Sequence, residues 1–427
     1  MSLSAATAVL SSGGVVTFPS PLFDTELLTI YNPLDLWGFN SSYVVAEYLY
    51  LLFAAATLSH AWKNSSTSSS LGLWFGCLLS GSIVELFTIL SPEIGNFYHT
   101  QASVMLIGKT EPLYMLVGCY GGIQYLAVQL AFTAAGDTDT KAGRKLGVTL
   151  ISGLAGRYLW SLLDIIGAHF LWWVWHESDK LYLAKASGVS AYTANLLSTT
   201  YLLAFLAYCN QVPIASSFWI LAETASIGFI YSIVRRRNAL LVSVTIAVIT
   251  PLLLNIPFIL LYHPFSNNYG HPEIPLYLLE AAAVIAVLLM VRGGHSVSSH
   301  RWLFYLAGSF VAINSAIFIA FQDRAGRNLR YSYGEPFTNS SCHGVTELVF
   351  WGTAERDRFL CPAKIGSDKL YTLSCLKGPL MEGRWYWLCG VGVSQEAFVE
   401  VCIEVLKTSA LIFFLFAASL GGKRKII

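Results

Sequence analysis

What most constrains this chain is a series of apolar runs, each long enough to cross a lipid bilayer: Ser42 to His60, Leu71 to Leu90, Pro112 to Thr133, Leu146 to Trp175, Tyr192 to Cys209, Pro213 to Val234, Ala239 to Tyr262, Ile274 to Val291, Trp302 to Phe321 and Ala397 to Leu420. At 1.5 Å of rise per residue, about 20 helical residues span the roughly 30 Å of hydrocarbon. Backbone polar groups inside lipid must be satisfied within the element, so only helices and closed barrels cross it. These runs are too long, and too little alternating, for barrel strands of about ten residues. The expected fold is therefore all-α, a polytopic transmembrane bundle of about ten helices.

Composition agrees. Hydrophobic residues make up 55% of the 427 and charged ones only 12%, against about 25% charged in soluble domains. The formal net charge of +1 gives no electrostatic footprint for nucleic acid. The expected partner is membrane lipid, and the oligomeric state is open. No dinucleotide, P-loop or zinc-finger pattern occurs, so the cofactor is unknown and no metal ligands are named.

Orientation follows from Lys and Arg in short loops. Arg235 to Arg237, Arg292 with Arg301, and Lys423 to Lys425 are separated by pairs of spans, which puts all three clusters on one face, the cytosolic one. Lys141, Arg144 and Lys145 join them only if one segment between Tyr192 and Val234 re-enters. Ten spans with the N-terminus inside and nine with it outside both stay open. The first forty residues lack Lys and Arg, and Gly13, Gly14, Pro19 and Pro21 break their apolar stretches, so no cleaved signal peptide is expected. The domain reading is an N-terminal segment 1–41, a main bundle 42–321, a non-cytosolic segment 322–395, a final helix 396–420 and a basic cytosolic tail 421–427.

The non-cytosolic segment carries Cys342, Cys361, Cys375 and Cys389, half of the eight cysteines, at spacings unlike a zinc site. In an oxidising compartment they read as two disulfides, with three pairings open. Asn339-Ser-Ser is a glycosylation sequon and agrees with that side. The terminal Lys-Arg-Lys-Ile-Ile has lysines at the offsets of a retrieval signal of the endoplasmic reticulum, or is a plain positive-inside stop. The membrane is thus that of the endoplasmic reticulum, another endomembrane or the cell surface.

Ionisable groups at membrane depth cost several kcal/mol unless paired or wetted. Here they are Glu47, Glu85, Arg157, Asp164, His169, Glu223, Glu280, Glu400 and Glu404. Arg157 and Asp164 lie seven apart on one helix face and are expected to neutralise each other. Two stretches stand out. In Asp164 to Asp179, DIIGAHFLWWVWHESD, His169 and His176 are two turns apart, too far for one metal ion. Trp172, Trp173 and Trp175 read as an aromatic belt at the headgroups, with His176, Glu177, Asp179 and Lys180 in water. The second runs from Glu85 through Pro92, Glu93, Asn96, Tyr98, His99 and Lys109 to Glu111 and Pro112, and suits an interfacial cap where a general acid and base meet an amphipathic substrate. The candidate catalytic residues are Glu85, His99, Glu111, Asp164 and His169.

The order of Glu85, Asn96-Phe-Tyr-His, Gly108 to Pro112, Asp164, the Trp-rich run and Gly188-Val-Ser to Asn195 resembles the membrane carotenoid hydratases, over about a third of the chain. That resemblance implies addition of water across an isoprenoid double bond. More broadly the chain is similar to an uncharacterised eukaryotic multi-pass membrane family, which implies no function.

Gly72 with Gly76 and Gly118 with Gly122, each four apart, mark close helix contacts. Pro251, Asn255 and Pro257 interrupt the seventh run, as a proline kink or as the broken helix of a transporter. Glu396, Glu400 and Glu404 share a face that must meet water or a polar cavity. Three functions remain. A membrane-embedded enzyme acting on a lipid or isoprenoid leads. A proton- or ion-coupled transporter using Glu47, Glu223, Glu280 and the broken helix comes next, though no inverted repeat is visible. A receptor or assembly component presenting Trp385 and Trp387 is third.

Overall fold

In a computed structural model, the described residues are 7–10, 15–18, 20–64, 69–91, 95, 97–135, 141–176, 214–269, 271, 273–291, 301–323, 328–333, 346–349, 354–357, 371–372, 376–377, 381–382, 385–390 and 395–420. The expected span Tyr192 to Cys209 lies outside them, as do Glu177 to Lys180, Arg292, Asn339, Cys342, Cys361, Cys375 and the basic tail.

The molecule is mostly helical. Helix α1, Pro33–Lys63, starts where Asn32 accepts a hydrogen bond from Leu34 N with proline at the first helical position, a favourable N-terminus. It bends at Asn40, whose backbone is non-helical and whose amide donates to Phe170 O at 2.7 Å. Then come α2, Ser70–Leu90; α3, Met115–Ala135, its first ten residues wound as a π-helix; α4, Lys141–His169; and α5, Ile214–Val234. Helix α6, Ala239–Tyr269, runs out in π-turns past Pro251, with Asn255 Nδ2 donating to Pro251 O at 2.6 Å. Helices α7, Glu273–Val291, α8, Arg301–Phe321, and α9, Gln395–Leu420, follow. Among the described residues seven helices, α1 to α6 and α8, are long and apolar enough to cross a membrane. That count is lower than the expected ten, of which the span Tyr192 to Cys209 lies outside the described residues. Helices α7 and α9 are not among the seven, and Glu396, Glu400, Glu404 and Lys407 crowd the first half of α9.

Along α6 the two faces separate cleanly. Leu240, Val244, Val248 and Leu252 point outward, while Val242, Ile246 and Ala247 are buried. A soluble core would bury the first set; a helix with hydrocarbon on one side leaves it out. The glycine pairs act as contacts. A Cβ on Gly72 would stand 2.8 Å from Ala239 Cα of α6, one on Gly76 2.8 Å from Ile246 Cβ, and one on Gly118 2.9 Å from Tyr50 O of α1. Arg157 does not pair with Asp164. It forms a buried ion pair with Glu280 of α7, beside the buried Lys407 of α9, while Asp164 turns to the Ser216 hydroxyl on α5.

All-α does not describe one end of the bundle, where connecting segments pair as strands. Four of them, β3 (Phe23–Asp24), β4 (Leu28–Ile30), β6 (Val104–Leu106) and β7 (Glu111–Pro112), make one antiparallel sheet. Buried N–H and C=O groups need partners, and these segments have no helix to supply them. Near the N-terminus β1, Thr7–Leu10, pairs with β2, Val15–Thr17, and with β13, Leu376–Lys377. The segment expected to be loop-rich supplies β9, Leu329–Tyr333, which pairs over its whole length with Trp385 to Cys389 of β15, Trp385–Gly390. Of its four cysteines only Cys389 is described. It is buried on β15 and is not among the free thiols of the described residues, which are Cys77, Cys119 and Cys402.

The expected span from Leu146 to Trp175 ends at His169. Leu171 takes a positive φ of 58°, and β8, Trp173–Trp175, then pairs antiparallel with β5, Phe97–His99, setting His99 opposite Trp173. Trp172 and Trp173 are fully buried and His176 is buried too. The aromatic belt and the water-exposed His176 are therefore overturned: the run folds under the cap, with Trp172 Nε1 donating to Ser42 Oγ at 3.0 Å.

Candidate functional site

Two strands of the cap carry an acid and a base. His99 sits at the end of β5, held by its ladder to β8. Glu111 opens β7, opposite Leu106 of β6. Between β6 and β7 the backbone makes a tight left-handed turn, with positive φ at Ile107, Gly108 and Lys109. That conformation is costly for a β-branched residue such as Ile107. The turn is held by Gly108 N to Glu26 O at 2.7 Å, Ile107 N to Leu27 O at 3.1 Å and Lys109 Nζ to Asp24 at 2.7 Å. Its shape aims Glu111 inward.

His99 Nε2 lies 3.9 Å from Glu111 Oε2, both side chains almost wholly buried. Burial, helped by the guanidinium of Arg330, pushes His99 down to about 3. Burial and then the nearby Glu85 charge push Glu111 well above the usual carboxylate range. Burial thus favours the neutral form of each group across this contact. Desolvation wins because 3.9 Å is too long for a strong hydrogen bond to offset it. Aromatic rings enclose the pair: Phe97 stands edge-on to His99 at 4.7 Å and Trp173 at 5.9 Å between centroids.

Below it, Tyr120 donates to Glu85 Oε1 at 2.5 Å. Cys119, on the π-wound start of α3, is buried within electrostatic reach of Asp164, Glu111 and Glu85 together. A π-turn widens the helix and often marks such a site. Four of the five expected residues, Glu85, His99, Glu111 and Asp164, therefore gather at the cap end. His169 does not join them. Its Nε2 meets Gln322 Oε1 at 2.9 Å, with the ring against Phe170 and Phe318.

The residues expected to line a transport path are mostly used otherwise. Glu47 accepts from Ser103 N at 2.9 Å and Val104 N at 3.3 Å, fastening the cap to α1, and Glu280 pairs with Arg157. Glu223 is fully buried with no ion partner among the described residues and with the Gln124 side chain beside it. Among the described residues no three His, Cys, Asp or Glu gather as a metal site.

Sequence reasoning missed Arg330. It is fully buried on β9 and its guanidinium donates to Tyr98 O, joining the 322–395 segment to the site. The only signal was an arginine inside the strand-like Leu329-Arg-Tyr-Ser-Tyr. A family model described as a domain of unknown function (DUF7802) matches residues 27–419. No curated protein matches the chain, and no solved structure does.

Proposed function

Starting from the premise that the chain belongs to this family of unknown function, we propose that it is a membrane-embedded enzyme that adds water to, or removes it from, a carbon–carbon double bond of a lipid or isoprenoid. The observation that carries the reading is the buried contact of His99 with Glu111, with the rings of Phe97 and Trp173 packed against the imidazole. Acid–base chemistry at neutral pH needs the acid to hold its proton and the base to lack one, and a pair of groups whose environments push them apart meets that need.

In the hydration direction Glu111 gives its proton to one alkene carbon, and the other becomes cationic. A water oxygen bonds to that carbon while His99 takes the proton the water releases. The imidazolium then returns the proton to Glu111, so the balance is alkene plus water giving alcohol. Aromatic rings stabilise positive charge within about 6 Å when a face is presented to it, so a substrate carbon lying over Phe97 or Trp173 would be favoured in the cationic step. Glu85 and Asp164 are positioning residues around Cys119. The resemblance to carotenoid hydratases points to the same chemistry. We also propose disulfides among Cys342, Cys361, Cys375 and Cys389, supported by the bonded sulfur of Cys389.

The test is incubation of the purified protein with isoprenoid lipids in ¹⁸O-labelled water, followed by mass spectrometry. Label in a hydroxylated product, absent with H99N and with E111Q, is expected. No labelled product from the unaltered protein across linear isoprenoids and unsaturated fatty acyl lipids would overturn the reading.

A further inference from the structure

Glu223 is the group that the cap chemistry does not use. It lies near the middle of α5 with no solvent exposure, and neither carboxylate oxygen makes a well-formed hydrogen bond, the Gln124 side chain being close enough to act on it. Both polar atoms of the equally buried Gln124 on α3 are likewise without a well-formed hydrogen bond. Gln124 is beside Glu223. Orphaned buried polar atoms are rare in folded proteins, and when they cluster they mark ordered water or an ion.

The cluster is one stage of a polar seam. Toward the cap, Tyr120 is within electrostatic reach of both Glu223 and Glu85 and is bonded to Glu85, and Glu85 acts on Glu111. Toward the other end, Cys77 of α2 adjoins Glu223. Tyr125 follows, near Cys77 and the Ser70 hydroxyl, with its hydroxyl 2.7 Å from His60 Nδ1. Gln129 donates to Ser70 Oγ at 3.2 Å, and Ser69 bonds the carbonyl of Arg235, where the basic end of α5 begins. Tyr120, Gln124, Tyr125 and Gln129 recur at four and five residues, so one face of α3 carries oxygen or nitrogen groups from end to end.

We infer that this seam, between α2, α3 and α5, is a water-filled path that carries protons across the membrane, with Glu223 as its midpoint relay. Each hop passes one proton from one oxygen to the next while the donor is refilled from behind, so no bond other than O–H or N–H changes and no redox partner is needed. A carboxyl at membrane depth with no ion partner is the usual mark of a proton relay. The groups facing Glu223 fit that role. Helix α2 brings Glu85 and Cys77, and α3 brings Tyr120 and Gln124. On helix α4, Arg157 is engaged by Glu280 of α7. The inference goes beyond the cap chemistry and does not depend on it, since it concerns flux with no substrate present.

The full-length protein in phosphatidylcholine vesicles loaded with a pH-sensitive dye provides the test, with potassium and valinomycin to clamp the potential. After an external pH step, the unaltered protein is expected to dissipate the gradient faster than protein-free vesicles, and E223Q to fall back to the protein-free rate. Y120F, which removes the hydroxyl between the two carboxyls, is expected to do the same, and it decides the matter if E223Q fails to fold. Unaltered protein no faster than empty vesicles, or either folded variant conducting at the unaltered rate, would overturn the inference.

Discussion

At the scale of single residues, the function rests on what burial does to His99 and Glu111. His99 is held near 3 in the fold, so below its unfolded value of about 6.5 the unfolded chain binds a proton that the native one refuses. Stability is full above that value and falls as pH drops from there toward 3. Glu111 is held well above 4.5, so its contribution is full below 4.5 and is lost as pH rises toward its folded value. The melting temperature of the detergent-solubilised protein should therefore peak between about 4.5 and 6.5. H99N should flatten the acid limb and E111Q the alkaline one. Retention of both limbs in both variants would refute the assignment. These carboxylates and His99 were legible because charge stands out in an apolar chain. The Trp172 to Trp175 run was not, since a belt and a buried aromatic strand share one composition and only the turn at Leu171 distinguishes them. Arg330 was hidden because long-range strand pairing, here of β9 with β15, has no local sequence mark.

Among the elements, helix contacts were the most readable, because a glycine every fourth residue has one physical use in a membrane bundle, close backbone approach. Gly72 meets α6 at backbone distance, leaving no room for a side chain. G72L should therefore destabilise by about 1–3 kcal/mol, the usual cost of overpacking. It is expected to lower the melting temperature, while G38A, with nothing within 4 Å, leaves it near that of the unaltered protein. Equal effects of the two would contradict the packing described for α2 and α6. Strands were the least readable elements. Those of the cap are two to six residues long, too short for an alternating pattern to register, and several lie on segments that also read as membrane loops.

For the whole molecule, an outward apolar stripe on α6 and buried polar groups within the bundle together give a membrane protein capped at one end by paired strands. Apolar runs of bilayer length made that architecture visible in advance, although length alone overstated where α4 ends. Cap and bundle are joined by Glu47 of α1, which is bonded to the β6 segment, while Arg330 ties β9 to β5 within the cap. Disulfides in the 322–395 segment would tie β15 within the cap. Electrophoresis without reductant should show a faster-migrating band that slows on reduction, and C389S should reduce the shift. Identical mobility with and without reductant would remove the disulfides from the account.

The measurement that bears most directly on the central claim is the protonation of the cap pair itself. Solid-state NMR of the protein in lipid, with ¹⁵N-labelled histidine and ¹³C-labelled glutamate and with H99N and E111Q to assign the signals, reads both groups at pH 7. Neutral imidazole shifts for His99 together with a protonated carboxyl for Glu111 are predicted. An imidazolium beside a carboxylate would contradict the account, because a base already protonated and an acid already ionised have no proton left to move.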